Sequence, residues 1–137
     1  MKNIFIIIFS LIFLISCAGF EKISPDYNFG SPPTDVERKV REYFQYILKD
    51  PSSANFIVGT PYKAYQNEGL ITGGGIQWAG YAVDVSINAR NSYGGYTGYK
   101  PYLVYFTGES IRFQCKKREN YNESITEVCN DVVFHRF

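Results

Sequence analysis

The chain has 137 residues, with 14 lysines and arginines against 13 aspartates and glutamates and a single histidine. That length suits one small domain and leaves no room for a second. The near-neutral balance lacks the basic excess that phosphate binding requires, which argues against a nucleic-acid partner.

Lys2 stands before an apolar run from Ile4 to Ile15. The run is within signal-peptide length and short of the roughly 20 apolar residues needed to span a bilayer. It ends in Leu14-Ile15-Ser16-Cys17, and Ala18, Gly19 and Glu21 follow without a further apolar stretch. The segment resembles the signal peptide of bacterial lipoproteins, in which a small residue precedes a cysteine that is acylated and begins the mature protein. The resemblance implies a leader over residues 1–16 and lipidation of Cys17; an uncleaved membrane anchor is the alternative. Each buried CH₂ contributes about 0.8 kcal/mol, so several acyl chains hold a protein on a membrane without a spanning helix. An aspartate after the cysteine tends to retain such proteins in the inner membrane, and Ala18 stands here. The expected location is the outer membrane, facing the periplasm, with the inner membrane and the cell surface left open.

Residues 17–33 hold Ser24-Pro25 and Gly30-Ser31-Pro32-Pro33 with few regularly spaced apolar positions, and read as a lipidated tether. Phe20, Ile23, Tyr27 and Phe29 are signals that part of it packs on the domain. From Thr34 to Phe137 the chain reads as a single α+β domain. Thr34-x-x-Glu37 has the form of a capping box, and Val36, Val40, Tyr43, Phe44, Ile47 and Leu48 recur at helical spacing. Asp50-Pro51 stops that helix, because a residue before proline avoids the helical region. A tight turn over Pro51 to Asn55 follows.

The period then becomes two. Tyr81, Val83, Val85 and Ile87 alternate with Ala82, Asp84, Ser86 and Asn88, the pattern of a half-buried strand. Shorter signals fall at Phe56 to Tyr65, Tyr102 to Phe106, Ile111 to Cys115 and Val128 to Phe134, with Ile111, Phe113 and Cys115 on one side. The expected fold is one amphipathic helix on an antiparallel meander of about five strands.

Between strands lies Asn88-Ala89-Arg90-Asn91-Ser92-Tyr93-Gly94-Gly95-Tyr96-Thr97-Gly98-Tyr99-Lys100-Pro101-Tyr102, with a tyrosine at every third position from Tyr93. Glycines make such a loop permissive, and tyrosine offers a flat face with a polar tip suited to stacking on sugars or peptides. Tyr93, Tyr96 and Tyr99 are the candidate contact surface, with Arg90 and Asn91 as polar orienting groups. The alternative is a long hairpin whose aromatics fold back on the sheet.

With Cys17 assigned to lipid, Cys115 and Cys129 remain as one possible disulfide, worth about 3 kcal/mol in the chain-entropy model and stable in the periplasm. A hairpin around Asn120 to Asn122 would bring the two together; two free buried thiols are the alternative. One histidine and no C-x₂-C leave no expected metal site, and no cofactor is expected.

Leu48-Lys49-Asp50-Pro51-Ser52-Ser53-Ala54-Asn55-Phe56, together with Gly80-Tyr81-Ala82-Val83 and the block Asn88 to Gly98, resembles a group of small, largely uncharacterised proteobacterial envelope and phage-associated proteins. The likeness covers roughly residues 36 to 107 and implies little about activity. Members of that group carry a cysteine near the position of Asp84, so no cysteine pairing is carried over from them.

Other signals are weaker. Thr72-Gly73-Gly74-Gly75 lacks the Gly-Lys-Ser/Thr ending of a phosphate loop and reads as a hairpin turn. Lys116-Lys117-Arg118 is followed by Glu119, Glu123 and Glu127 and reads as a solvated hairpin end. His135 has no sequence-adjacent nucleophile and reads as a terminal packing or surface residue. Asp84 and Glu109 could form a glycosidase-like carboxylate pair only if the fold brought them together. The leading expectation is a non-enzymatic envelope binding or assembly module that meets a protein or peptidoglycan partner. The alternatives are an inhibitor or exclusion factor against a hydrolase, phage or plasmid component, and a hydrolase of envelope polymers.

Overall fold

The computed structural model describes residues 19–116 and 133–137. Residues 1–18 and 117–132 lie outside the description, and with them the leader, Cys17, Cys129, the basic cluster from Lys117 and the start of the last expected strand. The described residues form an α+β domain, with one helix and an antiparallel sheet. None of its helices is long and apolar enough to cross a membrane.

Helix α1 spans Val36–Phe44. Val40 and Phe44 are fully buried, one turn apart on the face that meets the sheet. The helix stops four residues before Leu48, and Gln45 to Leu48 form a looser turn in which the N–H groups of Ile47 and Leu48 both donate to Phe44 O. The expected capping box does not form. Asp35 occupies the cap position with φ 48° and no side-chain cap, while Glu37 pairs with Arg41 at 2.7 Å. Thr34 turns instead to Glu109, donating its N–H to Oε2 at 3.0 Å, and Lys39 joins the same carboxylate. A carboxylate from a distant turn does the work assigned to Glu37.

Six strands are described: β1 Asn55–Val58, β2 Tyr62–Asn67, β3 Ile76–Asn88, β4 Lys100–Thr107, β5 Ser110–Lys116 and β6 Val133–Arg136. The single strand expected over Phe56 to Tyr65 is two, broken at Gly59-Thr60-Pro61. β1 and β2 nevertheless lie along the same edge of β3, with Phe56 opposite Ile87 and Tyr62 opposite Ala82. Gly59 N–H, donating to Asp84 O at 2.8 Å, bridges the break.

The order β5-β4-β3-β2-β6 corrects the meander. β6 pairs with β2, Ala64 opposite Arg136, so β5 and β6 occupy opposite edges and form no hairpin. The expected closeness of Cys115 and Cys129 loses that argument. Cys115 is nonetheless buried and disulfide-bonded. Its partner lies outside the described residues.

Alternation along β3 sorts two cores. Tyr81, Val83, Val85 and Ile87 share one face with Val40, Phe44, Val104 and Phe106. Trp78 and Ala82 share the other with Ala64, Leu103, Tyr105 and Cys115. Ile111 sits with the first set and Cys115 with the second, correcting their expected common face. The reason is a bulge in β5: Tyr105 pairs with Phe113 but Phe106 pairs with Ile111, leaving Arg112 extra and reversing the alternation.

Residues 19–33 are no free tether. Ile23 and Phe29 are buried in the first core, and the Tyr81 hydroxyl donates to Gly30 O at 3.1 Å. Glu21 N–H donates to Gly74 O at 3.0 Å, and the fully buried Asn67 donates from Nδ2 to Glu21 O at 2.8 Å and Gly74 O at 2.9 Å. We call residues 19–33 the strap.

Gly80 marks the tightest approach in the sheet. A Cβ there would lie 2.2 Å from Phe106 O and 2.8 Å from the Trp78 ring. Trp78 covers the glycine, packs edge-on to Tyr105 at 4.7 Å and donates Nε1–H to Thr107 at 3.2 Å. Gly80→Ala is therefore expected to cost about 3 kcal/mol through overpacking, read as a lowered urea midpoint at unchanged slope.

Candidate functional site

β3 and β4 are joined by residues 89–99, and this connection carries the tyrosines singled out above. It is an ordered structure held by its own polar groups. Asn91 Oδ1 accepts from Tyr93 N–H at 2.9 Å and Gly95 N–H at 3.1 Å, an Asx turn. Asn91 N–H donates to Gly95 O at 2.9 Å, and Gly94, at φ 79°, allows the reversal. The amide oxygen of Asn91 thus shapes the loop.

The base of the loop leans on the turn after α1. The Tyr96 hydroxyl donates to Ser53 O at 3.0 Å, Arg90 N–H donates to Ser53 Oγ at 3.0 Å, and Lys49 donates to Ser92 Oγ at 2.7 Å. The Arg90 guanidinium lies 5.5 Å from the centre of the Tyr96 ring. The two sequence blocks around Asp50-Pro51 and Tyr93-Gly94 are therefore one spatial unit.

Tyr93 stands at the tip, 97% exposed, while Tyr96 and Tyr99 are each 48% exposed. Every residue from Asn91 to Lys100 is exposed, so the loop projects instead of folding back on the sheet. No ring contact joins the three tyrosines among the described residues, and they form separate faces of one projection.

Between the loop and the end of α1 runs a cleft of about 330 Å³, walled by Ile47 to Lys49 on one side and Ala89 to Ser92 on the other, with Lys100 and Tyr102 also lining it. Lys49, Arg90 and Lys100 give it three cationic groups. Burial raises the Tyr102 hydroxyl above its ordinary value, so it stays protonated. Asp50 lies nearby with its carboxyl held below the usual range, first by the Ser52 hydroxyl and in smaller part by Arg90. Sequence reading missed Lys49, Lys100 and Tyr102, because the cleft exists only once residues some forty positions apart are brought together.

The remaining candidates separate in space. Asp84 faces the second core side, where Arg136 approaches it at 3.7 Å and lies over the Tyr62 ring. Glu109 is bound on the helix side by Lys39 first and by Thr34 in smaller part, which holds its carboxyl below the usual range. The two acids do not form a catalytic pair. His135 stacks on Tyr65 at 4.6 Å, with Phe20 of the strap edge-on at 6.4 Å. Among the described residues, no group of histidine, cysteine and acidic side chains is placed to hold a metal ion.

These features define a small α+β domain presenting a braced aromatic loop beside a cationic cleft. No protein-family model matches the chain, and comparisons with curated proteins and with solved structures find no match.

Burial pushes the His135 imidazole below its ordinary value of 6.5. The folded state then binds fewer protons than the unfolded chain between the two values, so this contribution is complete above about pH 6.5 and is lost as pH falls through the folded value. His135→Phe, which keeps the stack on Tyr65, is expected to flatten the decline in urea midpoint between about pH 7.5 and about pH 5.

Proposed function

We propose that this chain is a lipid-anchored, non-enzymatic envelope module. Cys17 carries the lipid, and the loop at residues 89–99 with its cleft meets a protein or peptidoglycan partner at the periplasmic face of the outer membrane. The carrying observation is the loop itself. It is exposed along its length yet cross-braced through Ser53, Asn91 and Lys49, so binding costs little ordering entropy. Tyr93 supplies a rigid amphipathic face, and Lys49, Arg90 and Lys100 favour a partner carrying carboxylates. Cys115, in its disulfide, is consistent with an oxidising compartment.

A second reading is favoured by the projection of Asn91 to Tyr99. A rigid protruding loop suits insertion into an enzyme cleft, as an inhibitor or exclusion factor against a hydrolase, phage or plasmid component would require.

Crosslinking and pull-down of the intact lipoprotein from its native membrane tests both. Replacing Tyr93 and Tyr99 together by alanine, which leaves the bond from the Tyr96 hydroxyl to Ser53 O in place, is expected to remove the main captured partner with little change in the thermal midpoint. Unchanged capture would sink the loop assignment, and a hydrolase among the lost partners, inhibited by the wild-type protein, selects the second reading. Cys17→Ser is expected to shift the protein from the membrane to the soluble fraction on fractionation.

A further inference from the structure

The geometry points to a second membrane contact: the turn bearing Leu70 and Ile71 rests on the lipid surface beside the acylated cysteine, so that the domain stands on the bilayer by one end of its sheet. This rests on the reading of Cys17 as acylated and adds to it a fixed orientation.

The strap first meets the domain at this turn. A Cβ on Gly74 would lie 3.3 Å from Gly19 O and 3.5 Å from Phe20 Cα, so the two backbones touch. Two residues on, Glu21 is bonded to Gly74, and the buried Asn67 amide clasps both carbonyls. Covalent geometry keeps Cys17 within about 7 Å of Gly19. Acyl chains on Cys17 therefore enter the bilayer next to the turn, with no length of tether to hold the domain away.

What the turn shows to its surroundings fits that position. Leu70 and Ile71 form a single 3₁₀ turn, Leu70 half exposed and Ile71 fully exposed. From Gly69 to Ile76 the chain has no charged residue. Two adjacent aliphatic side chains at a tip whose neighbouring carboxylate, Glu21, is engaged by the Ile76 N–H at 3.2 Å match the acyl boundary of a membrane, where burying apolar area strengthens attachment already made by a lipid.

The opposite end of the sheet gives the orientation its consequence. The turn immediately precedes β3 and the tyrosine loop immediately follows it. The 13 residues of β3 separate them by about 40 Å. A domain seated on Leu70 and Ile71 holds Tyr93 out from the lipid, towards the space where a partner is met.

The test uses the full acylated lipoprotein on phosphatidylethanolamine and phosphatidylglycerol vesicles with brominated acyl chains, which quench tryptophan at short range. Ile71→Trp reports the turn and Tyr93→Trp reports the loop, each read above the buried native Trp78. Ile71→Trp is expected to be quenched severalfold more strongly than Tyr93→Trp, with its emission shifted to the blue on vesicle binding. Equal quenching of the two in protein that floats with the vesicles overturns the contact while leaving the anchor intact. Protein that does not float overturns the anchor, and the orientation with it.

Discussion

Strand β3 is paired along both edges and, through its middle, buried on both faces, and each other part of the fold takes its position from that constraint. One edge is shared by β1 and β2, the other is taken by β4. A strand so enclosed needs apolar residues in both registers, which is what Val83 and Val85 on one side and Trp78 and Ala82 on the other provide. The close approach of Phe106 O to Gly80 follows from the same enclosure: the backbones meet where no side chain intervenes, and Trp78 supplies the missing cover.

The pieces outside the sheet are secured by polar groups far from them in sequence. Asn67 is fully buried, and its Nδ2 satisfies two carbonyls only when Glu21 lies beside Gly74. Undocking the strap would leave that amide half paired and expose Ile23 and Phe29, and both changes oppose release. Glu109 does the same for the helix. Its carboxylate receives the Thr34 N–H and the Lys39 ammonium, so the start of α1 is tied to the β4–β5 turn by charge-assisted bonds. Strap and helix cover the same core and are held from opposite places in the chain.

This explains what could be read from sequence. Helical spacing placed Val40 and Phe44 on the buried face, and alternation placed β3, because both signals are periodic and local. The route of the last strand was not legible. Pairing of β6 with β2 is a choice among edges that periodicity does not encode. Nor was the extra residue at Arg112, since one inserted position reverses every side chain after it without changing composition. Thr34-x-x-Glu37 misled for a related reason. The motif states what those side chains could do alone, and Glu109 and Arg41 offered stronger partners. In the site, Tyr93 was legible as a candidate contact; its exposure and the facing lysines were not.

The ordering of the tyrosine loop bears on what kind of contact it makes. A glycine-rich connection with free tyrosines would lose backbone entropy of about 1 kcal/mol or more per residue on being fixed by a partner. Here much of that ordering is already done, because Asn91 closes the turn and Tyr96 and Arg90 tie its base to Ser53. The same bonds remove the Tyr96 hydroxyl and the Asn91 carbonyl from direct recognition. What stays open is the face of Tyr93, the half-exposed rings of Tyr96 and Tyr99 and the cations Lys49, Arg90 and Lys100 along the cleft. An aromatic tip beside a cationic groove favours a surface with a flat or apolar element next to a carboxylate, and affinity then depends on Tyr93 and the groove acting at once.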